Sequence, residues 1–86
     1  MATTRLNWNR RLSRPLLPAK GPVAQLVTLR DAAWMILEFP AYRQRRPGWL
    51  RVSELLHQAA TSGGEQDLAS ATRELEQALR DEGWLS

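Results

Sequence analysis

Cysteine is absent from this 86-residue sequence, and histidine occurs once, as His57. Without thiols, neither a disulfide nor a cysteine-ligated zinc site can hold the fold together, so packing must do so. A conventional catalytic triad is excluded, because its nucleophile needs a base that a third residue orients, and we expect His57 to pack or to face water. We therefore predict a non-enzymatic protein with no metal and no cofactor.

A long hydrophobic run is also missing. No apolar stretch approaches the ~18 residues that a transmembrane helix needs, and the N-terminal arginines do not precede the apolar stretch of a secretion signal. We predict a cytoplasmic location with no role for a membrane. An Arg-rich leader that contains Ser and Thr but no acid is also typical of an organellar transit peptide, which is the alternative interpretation.

Negative charge is missing from residues 1–22, since the first carboxylate of the chain is Asp31. Pro15, Pro18 and Pro22 exclude a long helix in this segment and favour an extended backbone. We therefore divide the chain into a basic N-terminal arm over residues 1–22 and a helical domain over residues 23–86. The arm is too apolar for a wholly solvated tail, so part of it should pack on the domain or on a partner; disorder is the alternative.

Apolar periodicity predicts a mainly α fold, a compact three-helix domain with a possible short strand over residues 23–27. The first helix spans about residues 29–38, because Thr28 and Asp31 match a capping box and Pro40 stops the helix. The second begins near Gly48 and ends before residues 63–64, which are both glycine. The third predicted helix contains the apolar stripe that follows residues 63–64, and it ends at Gly83.

Each helix carries an apolar stripe that should form the core. In the first helix the stripe includes Ala33 and Leu37. Trp34, Trp49 and Trp84 fall within or beside the stripes, so we predict that they lie in the core, although an exposed tryptophan would indicate a binding hot spot. The acids of the third helix alternate with arginines, which is typical of a solvated helix face.

Candidate binding residues occur in the arm and in the loop over residues 40–48. Trp8 lies among the cations of the arm, where it can stack on bases, anchor in a pocket of a partner or pack on its own chain. The loop supplies a second basic cluster. These candidates are Arg5, Trp8, Arg10, Arg11, Arg14, Lys20, Arg43, Arg45 and Arg46.

The segments RVSELLHQAA, residues 51–60, and LEQALRDEGWL, residues 75–85, follow the first predicted helix. In this order they resemble a winged helix-turn-helix domain. In that family a helix with such an ending enters the major groove, so the resemblance implies DNA contacts from Arg73 and Arg80. The sequence departs from the family because the two-stranded wing is missing and the linker between the second and third helices lacks the usual tight turn.

Nucleic-acid binding, for example by a DNA-binding regulator, is the function that these features favour. This prediction rests on the basic arm, on the arginines of the loop and on the winged-helix resemblance. The alternative is an adaptor or inhibitor that binds an acidic protein surface through its arm and its tryptophans, and a small nuclease that uses Arg and Glu is a third possibility. The choice between DNA, RNA and protein stays open, as does the oligomeric state.

Overall fold

The computed structural model describes residues 6–85, so the candidate Arg5 lies outside the described residues. The described chain is mainly helical, as predicted. Its elements are the strands β1 (Arg11–Leu16) and β2 (Leu26–Thr28) and the helices α1 (Leu29–Leu37), α2 (Ala41–Gln44), α3 (Pro47–Ser62) and α4 (Glu65–Asp81). None of these helices is long and apolar enough to cross a membrane.

The ends of the long helices follow local signals in the sequence. Thr28 and Asp31 form the predicted capping box of α1: the Thr28 hydroxyl accepts from the Asp31 N–H at 3.2 Å, and the Asp31 carboxylate accepts from the Thr28 N–H at 3.1 Å. Beyond α4, Gly83 has a φ of 77°, and the Trp84 N–H donates to the Leu79 carbonyl at 2.9 Å. These features make a Schellman cap, which confirms the predicted ending of the third helix.

The predicted loop over residues 40–48 contains one helical turn, α2, so the part of the chain that the structure describes has four helices rather than the predicted three. Pro40 precedes this turn, and its carbonyl accepts hydrogen bonds from the N–H groups of Arg43 and Gln44. The Gln44 side chain donates back to the Phe39 carbonyl at 2.9 Å. These bonds within six residues close a turn that is too short to show an apolar period.

The basic N-terminal arm predicted over residues 1–22 is not confirmed as a separate segment. Within it, β1 pairs antiparallel with β2, with an irregular register between the pairs that Arg11 and Leu16 make. Leu12 and Leu16 are buried, and the Ser13 N–H donates to the Thr72 hydroxyl of α4 at 2.9 Å. The extended backbone and the packing of part of this segment on the domain were both expected. The strand β1 was not expected, and its leucines bury apolar surface in the core.

The core lies inside a ring of five elements. β1 packs between β2 and α4, α3 packs between α4 and α1, and α1 closes the ring against β2. Trp49 is buried in the core, as predicted, and Trp84 is partly buried against it. Trp34 and Leu37 were predicted to be core residues, which is wrong: they are 61% and 69% exposed, because α1 turns its Leu29, Ala32 and Ile36 side inward instead.

Candidate functional site

Helix α1 is apolar on two sides. One side is buried in the core, and the other carries a second stripe at helical spacing. The outward stripe consists of Ala33, Trp34 and Leu37, with Arg30 preceding it on the same side. Because large apolar side chains gain free energy when they leave water, an exposed tryptophan and leucine one turn apart are candidates for contact with another molecule.

The apolar surface continues from α1 onto α3 and Trp8. An apolar pocket of about 170 Å³ is lined by Trp8, Ala33, Ile36, Leu37, Ser53 and Leu56. On α3, Leu50, Ser53 and His57 share one helical side by their spacing, and Leu50 is 50% exposed. We call this surface the α1–α3 face; its members are Trp8, Arg30, Ala33, Trp34, Leu37, Leu50, Ser53 and His57.

Trp8 is held in this face by both its backbone and its ring. Its carbonyl accepts a hydrogen bond from the Arg30 N–H at 2.8 Å, at the start of α1. Its indole lies edge-on to the His57 imidazole, with 6.3 Å between the ring centroids. The ring is only partly buried against the core, so Trp8 packs on its own chain and still lines the pocket.

The arginines of the predicted loop cluster are partly engaged by an acid that follows α4. Arg46 Nη1 lies 2.8 Å from Glu82 Oε1, and Arg43 Nε lies 3.6 Å from Glu82 Oε2. The Arg43 guanidinium also lies over the Trp84 ring, 5.0 Å from its centroid. Arg45 is exposed. The loop therefore offers less free positive charge than its sequence indicates, because two of its three arginines bind the chain itself.

Arm and α4 cations meet on a second surface, the β1–α4 side. Arg14 of β1 forms an ion pair with Glu76 of α4, and Arg80 Nη2 lies 3.6 Å from the other carboxylate oxygen of Glu76. The hydrogen bond from Arg14 lowers the pKa of Glu76, and the positive charges of Arg14 and Arg80 lower it further. The structure thus brings together Arg14 and Arg80, which the sequence analysis placed in separate groups.

Several candidate cations have no acidic partner within 4.0 Å among residues 6–85. Arg10 lies against Gly63 at the end of α3, and with Arg11 it lines a cleft that also contains Glu65. Lys20, Arg45 and Arg73 are also exposed. Arg30, which was not among the predicted site residues, belongs to the same group. The cations without an acidic partner are Arg10, Arg11, Lys20, Arg30, Arg45 and Arg73.

Glu76, Glu82 and the outward side of α1 were not predicted from the sequence as functional features. The two acids were assigned to a solvated helix face, and their arginine partners in β1 and in the loop lie far away in the sequence. For α1 a signal did exist, since the apolar residues Ala33 and Trp34 precede Leu37 by four and three residues. A second apolar stripe on a short helix can indicate a surface that contacts another molecule.

Within the described residues, no three side chains of His, Asp or Glu come together to hold a metal ion. Comparisons with protein-family models, with curated proteins and with solved structures give no match. The resemblance to winged helix-turn-helix domains therefore stays a prediction.

Proposed function

We propose that this protein is a non-catalytic protein-interaction domain and that its α1–α3 face binds the partner. The exposure of Trp34 and Leu37 on α1 carries the proposal. A tryptophan that is 61% exposed beside a leucine that is 69% exposed leaves unusually large apolar groups in water. Tryptophan is also enriched among residues whose truncation weakens protein complexes most.

The surroundings of these two side chains favour a protein partner. The neighbouring pocket is mostly apolar and lies between two helices, with Trp8 at its wall. Apolar grooves of this kind accept apolar side chains of another protein, whereas nucleic acid is bound mainly through its phosphates. Arg30 is the only arginine or lysine of the face as defined, so the face itself has little positive charge to offer a phosphate backbone.

Site-directed photocrosslinking tests this proposal. Trp34 is replaced by a photoreactive phenylalanine analogue, and the same analogue at exposed Gln77 of α4 serves as the matched control. We expect protein adducts from position 34 that position 77 does not give, and Trp34→Ala should weaken binding of the adducted partner by roughly 2 kcal/mol or more. Equal adduct yields at the two positions would contradict the proposal.

Nucleic-acid binding is the second candidate, and the β1–α4 side supports it. Here Arg14 of β1 and Arg80 of α4 share the Glu76 carboxylate, so the arm and α4 contribute cations to a common surface. Arg73 is also exposed on α4. Because Arg14 and Arg80 already bind Glu76, we propose Arg10, Arg11 and Arg73 as the main phosphate contacts.

A salt series distinguishes this candidate from the first. If Arg10, Arg11 and Arg73 bind phosphates, replacing all three by Ala should reduce the slope of log affinity against log salt by up to about 3. Arg46→Ala is the matched control, since Arg46 is bound to Glu82 and should change the slope little. If the intact protein binds neither duplex nor single strands at low salt, nucleic-acid binding is rejected.

A further inference from the structure

We propose that a second copy of this chain covers the α1–α3 face, with the two α1 helices antiparallel about a two-fold axis at Trp34. This inference rests on the proposed protein-interaction function and names its partner. It is carried by the charges that flank the exposed tryptophan. Arg30 precedes Trp34 by four residues, Glu38 follows it by four residues, and both side chains are exposed.

These two charges are reversed relative to the dipole of their own helix. Arg30 lies in the first turn of α1, where the dipole favours an anion, and Glu38 is its C-cap residue, where the dipole favours a cation. Neither side chain has an ion-pair partner among residues 6–85.

An antiparallel second α1 compensates both charges at once. With a rise of about 1.5 Å per residue, Arg30 and Glu38 each lie about 6 Å along the axis from Trp34, in opposite directions. A two-fold axis at Trp34 therefore sets Arg30 of one chain opposite Glu38 of the other, twice. Each arginine then lies at the C-terminal end of the facing helix and each glutamate at its N-terminal end, which the dipoles favour.

The apolar residues fit the same arrangement. The two Trp34 side chains meet at the axis, and Leu37 faces the level between Arg30 and Trp34 of the facing helix. A self-complementary surface of this kind forms a closed dimer, which is the commonest symmetric assembly. Helix α1 alone is short, so the adjacent Leu50 and His57 of the α1–α3 face must supply part of the roughly 800 Å² per partner that a stable interface buries.

Charge exchange tests both the partner and its orientation. Arg30→Glu sets two carboxylates opposite each other at both ends of the dimer, and Glu38→Arg sets two guanidinium groups opposite each other there. We expect each single variant to weaken dimerisation roughly tenfold or more in low-salt sedimentation, since two attractions become repulsions. Mixing the two variants should restore association, because in the heterodimer every carboxylate at these positions again faces a guanidinium group.

Arg45→Glu is the control, since Arg45 is exposed but lies outside the α1–α3 face; it should dimerise like the wild type. Circular dichroism checks that each variant is folded. Wild-type protein that stays monomeric at all concentrations, single variants that dimerise normally, or a mixture that does not recover would each overturn the proposal.

The photocrosslinking experiment separates this inference from the proposed function. An adduct from position 34 with twice the 9.8 kDa mass of the chain supports the second copy. Adducts of other masses alone overturn the dimer and leave the protein-interaction function standing. If position 34 gives no more adduct than the control position, both proposals fail.

Discussion

The Thr72 hydroxyl joins the N-terminal segment to α4, and its removal tests whether β1 is part of the fold. Thr72 is fully buried. Its hydroxyl accepts from the Ser13 N–H at 2.9 Å and donates to the Leu68 carbonyl at 2.7 Å. Thr72→Val keeps the shape of the side chain but removes both hydrogen bonds, so its effect on stability reports on them with little change in packing.

The two hydrogen bonds contribute unequally to the free energy of unfolding. The Leu68 carbonyl keeps its helical hydrogen bond from the backbone N–H of residue 72, so loss of the second donor costs it little. The Ser13 N–H loses the partner that the structure gives it at the part-buried β1–α4 contact, and a typical hydrogen bond of this kind contributes about 0.5–1.5 kcal/mol. That is a measurable fraction of the ~5–15 kcal/mol that stabilises a typical domain.

Thermal and urea unfolding followed by circular dichroism measure this effect. Each kcal/mol lost should lower Tm by about 4–8 °C in a domain of this size. Thr72→Ser is the control: it keeps the hydroxyl and loses one buried methyl, which costs about 1 kcal/mol. Amide exchange at Ser13 should accelerate in the Val variant and stay slow in the Ser variant. A Val variant as stable as the wild type, with unchanged amide exchange at Ser13, would refute the reasoning.

Three further substitutions test the core, a helix end and the β1–α4 ion pair. Leu75→Ala should destabilise the protein by about 2–5 kcal/mol in urea unfolding, because Leu75 is fully buried and leaves a cavity. Gly83→Ala should lower Tm because residue 83 has a left-handed backbone, whereas Gly48→Ala within α3 should raise Tm. A Cβ atom would meet nothing within 4 Å at either position, so the two substitutions differ only in backbone conformation. Equal effects on Tm would contradict this reasoning. The ion pair lowers the pKa of Glu76 in the folded state. The contribution of Glu76 to the stability of the fold is therefore complete above its unfolded-state pKa of about 4.3, and it is lost as the pH falls through the lower folded-state pKa. Glu76→Gln should therefore lose less stability than the wild type between neutral and acidic pH, and parallel stability curves would contradict the pairing.

The long helices could be predicted because their signals are local. The capping box of Thr28 and Asp31 spans four residues, and the cap at Gly83 needs only the last turn of α4. The position of β1 could not be predicted in the same way. Its hydrogen bond to Thr72 joins residues 59 apart in sequence, and no local pattern contains such a pairing. The prolines predicted its extended backbone but not its contact.

The candidate site was harder to predict because the role of a charged or apolar residue depends on contacts with residues that are distant in the sequence. Arg46 looks free in the sequence, yet its acidic partner Glu82 is 36 residues away. On α1, periodicity identified apolar positions but not which side of the helix faces inward. Packing decides this, since α1 lies between β2 and α3, and the Leu29 side fits that space while Trp34 is left outside.

Helix α1 is stabilised by its capping box and its inward side, so substitutions on its exposed side can test association without unfolding the chain. Its capping box contributes about 1 kcal/mol, and its inward residues bury fully or nearly so. The reversed charges of Arg30 and Glu38 oppose the helix by about 0.3–1 kcal/mol each. Arg30→Glu should therefore leave the monomer at least as stable as the wild type, because an anion suits the first turn. If this variant also loses self-association, the loss cannot come from unfolding, and Arg30 must act between chains.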